Sequence, residues 1–219
     1  MEKYFSILRR CPLFDQIEDT DLLALLGCLG ARVEWFDKKN TILPEGEPAR
    51  TIGIVLSGSA QVVQVDYYGN RSILAGVAVS EIFGEAFACA EVPASPVAVV
   101  AVEPCEIMLI DSMRILHTCS NSCSFHQQII FNLMKELATK NILFHQKLEI
   151  TSKRSTREKL MAYLMLQAKK SGSSSFTIPF DRQELADYLE VDRSGLSAEI
   201  SKLRSEGILE SERKHFKLL

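Results

Sequence analysis

The 219-residue chain lacks the features that mark several common protein classes. No apolar run approaches the roughly 20 residues that span a bilayer, and the N-terminus has neither the apolar core nor the small-residue cleavage site of a signal peptide. Six cysteines occur without any C-x-x-C pair, which argues against a zinc ribbon or a disulfide framework. We therefore expect a cytoplasmic protein with reduced thiols.

Catalytic signatures are also missing. The sequence has no nucleophile elbow, P-loop, paired carboxylates or zinc-hydrolase pattern, so we expect no enzyme. The net charge of -3 is not that of a strongly basic nucleic-acid binder, but it is unevenly divided. Residues 1–150 carry 12 Lys and Arg against 18 Asp and Glu, whereas residues 151–219 carry 13 against 10. The mildly basic C-terminal third is compatible with DNA binding without establishing it.

Apolar sequence, by contrast, is plentiful at 47%, enough for a sizeable core. After a short helical opening, residues 32–111 form short β-rich runs separated by Gly, Pro and Asn. The pair Gly69-Asn70 predicts a hairpin turn. Strands at nearly regular spacing predict an antiparallel jelly roll or closed barrel.

A long helix is predicted next, because residues 122–148 contain no Pro or Gly. Apolar residues recur along it at helical spacing, namely Ile130, Leu133, Leu137, Phe144 and Leu148. This stripe is longer than capping a small β-domain requires, which favours a coiled-coil-like homodimer seam. The alternative is a helix that packs only on its own chain. The predicted domains are therefore a β-roll at 1–121, the helix at 122–150 and a C-terminal domain at 151–219.

The C-terminal domain contains two capped helix starts. Asp181 and Glu184 have the spacing of a capping box, and Asp192 caps a second helix after a tight turn. Two short amphipathic helices joined in this way predict a helix-turn-helix. The alternating segment after Gly207 predicts two strands that form a wing. A helical hairpin with solvated charges is the alternative.

In a helix-turn-helix, the outward face of the second helix meets base edges in the major groove. Arg193 can bond O6 and N7 of guanine, whereas serine and lysine contacts more often position the DNA backbone. The DNA-contacting residues that we predict are Arg182, Gln183, Arg193, Ser194, Ser197, Lys202, Arg213 and Lys214.

The order of β-roll, long helix and winged helix resembles the Crp/Fnr family of bacterial transcription regulators. The sequence "LPEGEPARTIGIVLSGSAQVV" is similar to the family's glycine-punctuated strands, "IFGEA" to its ligand cassette and "RQELADYLEVDRSGLSAEISKLRSEGIL" to its helix-turn-helix. The resemblance covers nearly the whole chain and implies an α+β fold and a homodimer joined through residues 122–148. It further implies a two-fold symmetric site on double-stranded DNA, RNA polymerase as a further candidate partner, and an effector in each β-roll. Ala198 stands where the family usually has a second DNA-contacting arginine, so the resemblance does not supply the operator sequence.

The resemblance also implies an effector pocket, made of Phe83, Gly84, Glu85, Ala86, Ser95, Lys140 and Asn141. In members that bind cyclic nucleotides, the glutamate holds a ribose hydroxyl and an arginine, followed by serine or threonine, pairs with the phosphate. Ser95 and Pro96 occupy those two positions here, so a phosphate would be buried without its cation. The sequence therefore argues against cyclic AMP and favours an unidentified uncharged effector over control without any effector. Lys140 is the one candidate cation, and a solvent-facing lysine is the alternative.

Other sensor chemistries and one different function stay open. Cys11 and Cys28 do not reproduce the cysteine cluster of iron–sulfur members of the family. A group of four side chains within ten residues could ligate a metal or haem, or could simply be polar residues at a turn: His117, Cys119, Cys123 and His126. The competing function is a ligand-binding module whose winged helix contacts proteins instead of DNA.

Overall fold

The computed structural model describes residues 1–116 and 124–219. Their contacts divide the chain into two compact units. The first unit contains Met1–Asn70 and Leu74–Asn141, and the second contains Arg71–Ile73 and Ile142–Leu219. None of the helices in the described ranges has the length and apolar character that a bilayer span requires.

Within residues 1–116, eight strands form two four-stranded antiparallel sheets. These strands are β1 (Arg32–Phe36), β2 (Thr41–Leu43), β3 (Thr51–Ser57), β4 (Ala60–Val65), β5 (Arg71–Val77), β6 (Ile82–Phe83), β7 (Ala98–Ala101) and β8 (Cys105–Asp111). The strand orders are β1-β8-β3-β6 and β2-β7-β4-β5. Strand β3 is buried along its length because it pairs with β8 on one side and β6 on the other. The predicted jelly roll is therefore confirmed.

Helices cover this β-roll and extend its core. They are α1 (Phe5–Leu8), α2 (Asp19–Cys28), α3 (Glu85–Cys89), α4 (Ser112–Leu116) and the long α5 (Ser124–Thr151). Ile129 and Leu133 of α5 are buried in one hydrophobic cluster with Ile52 and Ile54 of β3. Burial of these large apolar side chains stabilises the position of the first half of α5 on the β-roll.

The predicted apolar stripe of the long helix is partly buried and partly exposed. Leu133 is buried in the core of its own chain, and Ile130 and Leu137 pack against that core. A second set of large apolar side chains is exposed, namely Phe131, Met134, Ile142, Leu143, Phe144 and Leu148. Leu133 of the predicted stripe is therefore packed on its own chain, whereas Phe144 and Leu148, on the same side of the helix, are exposed and available to a partner helix. The dimer seam itself stays a prediction.

The C-terminal elements form a winged helix. They are α6 (Thr156–Ser171), β9 (Ser175–Thr177), α7 (Arg182–Leu189), α8 (Arg193–Ser205), β10 (Leu209–Glu212) and β11 (His215–Leu218). The three strands form an antiparallel sheet in the order β10-β11-β9. The predicted wing is thus confirmed, and Arg213 lies in its turn with a positive φ of 51°.

Local capping interactions explain where these helices begin and end. The amide of Glu184 donates to Asp181 Oδ1 at 2.9 Å, and the amide of Asp181 donates to Glu184 Oε2 at 2.8 Å, which confirms the predicted capping box. Ser155 and Glu158 form a second box at the start of α6. Gly172 ends that helix in the left-handed conformation, with a φ of 65°.

Candidate functional site

The turn between α7 and α8 is held by backbone and side-chain caps. Glu190 ends α7 with a φ of 55°, and the amide of Val191 donates to the carbonyl of Ala186 at 3.1 Å. Asp192 begins α8 by accepting a hydrogen bond from the amide of Gly195 at 2.8 Å. The hydroxyl of Ser194 also donates to the Asp192 carboxylate, and these bonds lower the pKa of Asp192. The two helices are therefore fixed at a short, rigid connection.

Helix α8 has a buried face and an exposed face. Its buried side chains are Leu196, Ile200 and Leu203, as the apolar spacing predicts. Arg193 and Lys202 are exposed, and Ser197 is half-buried. This helix therefore presents a polar surface outside the hydrophobic packing that holds it.

Three of the predicted DNA contacts keep their polar atoms available. Arg193, Lys202 and Arg213 make no side-chain hydrogen bond or ion pair with any residue that the structure describes. Because Arg193 is the first residue of α8, it projects from the end of the helix that enters the major groove in helix-turn-helix proteins. An unpaired guanidinium can bind a base edge or a phosphate without first breaking an internal bond.

Four other predicted DNA contacts already have side-chain contacts within the domain, namely Arg182, Gln183, Ser194 and Lys214. Gln183 Nε2 donates to Asp187 Oδ1 at 2.7 Å. Lys214 Nζ donates to the carbonyl of Pro179 at 2.6 Å. The guanidinium of Arg182 lies 5.5 Å from the ring centre of Phe216, and burial together with the charge of Arg204 lowers its pKa.

Two exposed residues of α8 extend this surface and are missed by the sequence prediction. Ser201 follows Ser197 by one helical turn, and its hydroxyl donates to the Ser197 carbonyl at 3.0 Å. Arg204 is exposed and close enough to Arg182 to lower the pKa of that guanidinium. Ser201 could have been predicted from the sequence, because it follows Ser197 at the i, i+4 spacing of one helix face. The second depends on the tertiary packing of α8 beside the start of α7.

The predicted effector cassette begins at a turn that only glycine fits. Gly84 has a φ of 80°, and a Cβ there would lie 2.9 Å from both Leu43 Cδ1 and the carbonyl oxygen of Thr51. The preceding Phe83 is buried, and its ring packs over Gly53 on the neighbouring strand β3, where a Cβ would approach Phe83 Cζ to 2.0 Å. This packing fixes the start of α3 and therefore the position of Glu85.

Glu85 is buried and forms an ion pair with the long helix. Lys140 Nζ lies 2.8 Å from Glu85 Oε1 and donates to the carbonyl of Ile82 at 2.5 Å. The side chain of Glu85 is 5% exposed and that of Lys140 is 31% exposed. The alternative of a solvent-facing Lys140 is therefore wrong: α5 packs on the β-roll, and this packing carries the lysine to the buried carboxylate.

The remaining pocket candidates do not join this pair. Ser95 is buried, and its hydroxyl donates to the carbonyl of Val97 at 2.8 Å. Its backbone is bonded to the loop at Gly46 and Glu47. Ala86 and Asn141 are exposed. Of the predicted pocket residues, the structure thus brings the side chains of Glu85 and Lys140 together.

The candidate metal group is only partly within the described residues. His117, Cys119 and Cys123 lie outside them. His126 is buried, with Nε2 3.0 Å from the carbonyl oxygen of Ile115. Over residues 1–116 and 124–219, no three His, Cys, Asp or Glu side chains form a group that could hold a metal ion. Burial raises the pKa of the Cys11 thiol to about 12, so this cysteine is a poor nucleophile.

Two family models match the chain. The model of the cyclic nucleotide-binding domain matches residues 33–122, and the model of the Crp-like helix-turn-helix domain matches residues 158–219. Together these ranges cover well over half of the chain. Among curated proteins, no significant sequence match is found.

Solved structures of bacterial regulators share the fold. FixK2 from Bradyrhizobium japonicum is 19% identical with a TM-score of 0.67, over 86% of this chain and 92% of that chain. The global regulator CLP of Xanthomonas campestris, described as c-di-GMP responsive, is 18% identical with a TM-score of 0.75, over 92% and 99%. CprK in complex with OCPA is 14% identical with a TM-score of 0.68, over 89% and 88%. These similarities show a common architecture at low identity.

Proposed function

The chain belongs to the Crp/Fnr family of transcription regulators, and we propose that it reads a two-fold symmetric DNA site as a homodimer under the control of an effector other than cyclic AMP. Crp-like helix-turn-helix regulators bind DNA and generally act as dimers. The symmetric site, the residues that read it and the effector class are the parts that we propose.

The availability of Arg193 carries the DNA-binding proposal. This arginine is exposed at the first position of a capped helix and has no internal partner among the described residues. A bidentate arginine–guanine contact contributes about 1–3 kcal/mol of discrimination against the wrong base. We assign base reading to Arg193 and phosphate contacts to Lys202 and Arg213, whose exposed side chains lie on α8 and on the wing.

The exposed apolar face of α5 supports dimerisation. Met134 is 56% exposed and Leu148 is 62% exposed, although both are large apolar side chains on a single helix. A row of such side chains is stabilised when a second helix covers it. We therefore place the dimer seam on this exposed face, within the predicted range 122–148.

Two features of the cassette support an effector other than cyclic AMP. The hydroxyl of Ser95 already bonds Val97, and Ser95 stands where cyclic-nucleotide-binding members have their arginine. The ammonium of Lys140, the only candidate cation from the sequence, already pairs with Glu85. Among the solved structures with this fold, CLP is described as c-di-GMP responsive and CprK is complexed with OCPA, which supports an effector other than cyclic AMP.

DNA binding is tested by selecting bound fragments from genomic DNA and comparing wild type with Arg193→Ala by footprinting. We expect Arg193→Ala to lose discrimination between selected and random DNA, by about 1–3 kcal/mol, with unchanged unfolding free energy. Lys170→Ala, which removes an exposed charge from α6, is the matched control and should retain discrimination.

An unchanged footprint for Arg193→Ala would show that α8 is not the recognition helix. A wild-type protein that forms no saturable, salt-sensitive complex with any fragment would favour the alternative in which the winged helix contacts proteins.

A further inference from the structure

The ion pair between Lys140 and Glu85 joins two elements that are far apart in the sequence. Glu85 is the first residue of α3 and follows the turn at Gly84. Lys140 is in the part of α5 that belongs to the first unit. The same ammonium also bonds the carbonyl of Ile82 in β6, so Lys140 contacts both sides of the turn.

A buried carboxylate needs a partner, and Lys140 provides it. Removing one member of a buried ion pair leaves the other charge without compensation, which is strongly destabilising. Glu85 Oε2 has no hydrogen-bond partner among the described residues, so the carboxylate depends on the single contact at Oε1. The Lys140 ammonium is therefore the main source of stabilisation for the Glu85 charge.

The groups around the pair increase this dependence. The pKa of Glu136, one helical turn before Lys140, is raised by burial and by the charges of Glu85 and Glu81. The pKa of Cys89 is raised by burial and by the charge of Glu85. Lys140 opposes the shift of Glu136, since its charge lowers the pKa of that carboxyl, whereas the Cys89 thiol is kept neutral. Lys140 therefore offsets the negative charge of the carboxylates Glu85, Glu81 and Glu136.

We infer that the Lys140–Glu85 pair is an internal brace, which links the effector cassette to α5 without any bound ligand. The pair adds a polar link at the cassette turn to the apolar packing of α5 on the β-roll. The inference extends the proposed function. Only its DNA-affinity measurement depends on that function, and its hydrogen-exchange measurement does not. It implies that α5, and the dimer seam on its exposed face, is held in place in the ligand-free protein.

Hydrogen exchange followed by mass spectrometry tests the brace in full-length protein shown by native mass spectrometry to carry no ligand. Lys140→Met removes the brace but leaves Glu85 unpaired, so it risks unfolding. The decisive variant is Glu85→Gln with Lys140→Met, which removes the link without leaving a buried charge. Lys135→Met is the matched control, because Lys135 lies on the same helix with an exposed side chain.

We expect the double variant to speed amide exchange about tenfold in segments 82–89 and 136–142, with α6 to α8 unchanged. Lys135→Met should exchange as the wild type does. Affinity for the selected DNA should fall about fivefold or more in the double variant, because a loosened α5 weakens the dimer seam. Arg193→Ala, in contrast, should lose DNA discrimination with wild-type exchange, so a failure of the DNA-binding proposal is distinguishable from a failure of the brace.

If the double variant has the same amide exchange rates and DNA affinity as the wild type, the inference is overturned. The pair would then only compensate a local charge. Protection of segments 82–89 and 136–142 that appears only when a small molecule co-purifies would overturn it as well. If the wild type binds no specific DNA, the exchange rates alone decide.

Discussion

The effector cassette and the recognition helix both have sequences typical of the family. Their charged groups differ, because those of the cassette are paired internally and the predicted base-reading arginine of the recognition helix is exposed. In the cassette, the buried Glu85 is paired with the partly exposed Lys140. On α8, Arg193 is exposed and unpaired within the described residues. A polar group that is already bonded must lose that bond before it can bind a ligand, whereas an unpaired surface group exchanges only water.

This contrast shows that a sequence motif determines the backbone position of a side chain. It does not determine whether that side chain is available to bind a ligand. The cassette has its glycine turn and its glutamate, yet its carboxylate is already paired. The winged helix lacks the family's second arginine at Ala198, yet the first arginine is available. Ligand specificity in the two regions therefore depends on internal partners as much as on the motif residues.

The largest expected effect comes from Gly53→Ala, which disturbs the packing of the effector cassette and leaves the recognition helix unchanged. The new Cβ would lie 2.0 Å from Phe83 Cζ, in the core beneath the turn at Gly84. We expect a loss of about 3 kcal/mol of unfolding free energy in the β-roll, because the buried Phe83 ring must shift to admit the methyl group. Urea unfolding measures the loss, and hydrogen exchange should show that α7 and α8 keep their protection.

Gly27→Ala is the control for this substitution. Gly27 lies in α2, and apart from its chain neighbours and the backbone of its own helix no atom of the described residues would lie within 4 Å of a Cβ at this position. We expect a gain of about 0.5–1 kcal/mol from helix propensity. Equal loss of protection in α7, α8 and the β-roll of Gly53→Ala would contradict the expectation that the substitution acts on the cassette alone.

Cyclic AMP provides the next test. We expect no shift in the melting temperature of the wild type, because Ser95 provides no cation and Lys140 is occupied. Ser95→Arg combined with Lys140→Thr supplies a guanidinium for the phosphate and frees Glu85 for a hydroxyl. Because Glu85 then loses its partner, circular dichroism without ligand first checks that the variant is folded. That variant should be stabilised by cyclic AMP, with about 2–4 °C for each kcal/mol of linked binding energy.

Ser95→Ala with Lys140→Thr controls for the loss of the ion pair and should show no cyclic AMP effect. A rise of several degrees in the wild type would contradict the assignment of Ser95 and Lys140. No response in the Ser95→Arg, Lys140→Thr variant would show that further residues of the cassette exclude the nucleotide.

Local patterns predicted most of the architecture, and tertiary packing decided the rest. Asp181 and Glu184 fixed the start of α7 through bonds that span three residues, so the sequence was sufficient there. The partner of Lys140 was not predictable, because it depends on how α5 packs against β6 and α3. The same packing buries Leu133 and leaves Leu148 exposed, although the helical rhythm puts both on one side of α5.

The smallest expected effect concerns Glu136, whose pKa is raised from its ordinary value near 4.5 by burial and by neighbouring carboxylates. Since the folded protein holds this proton more tightly than the unfolded chain, the stability that it contributes is full below about pH 4.5 and is lost as the pH rises through the folded value. Glu136→Gln should therefore gain stability relative to the wild type between acid and neutral pH, by less than about 1 kcal/mol. Urea unfolding at several pH values measures this difference, with Glu149→Gln, an exposed carboxylate on the same helix, as the control for charge loss. Parallel profiles of unfolding free energy against pH for the wild type and Glu136→Gln would show that Glu136 is as well solvated in the folded as in the unfolded chain. That result would weaken the contrast between a buried, internally paired cassette and an exposed recognition helix.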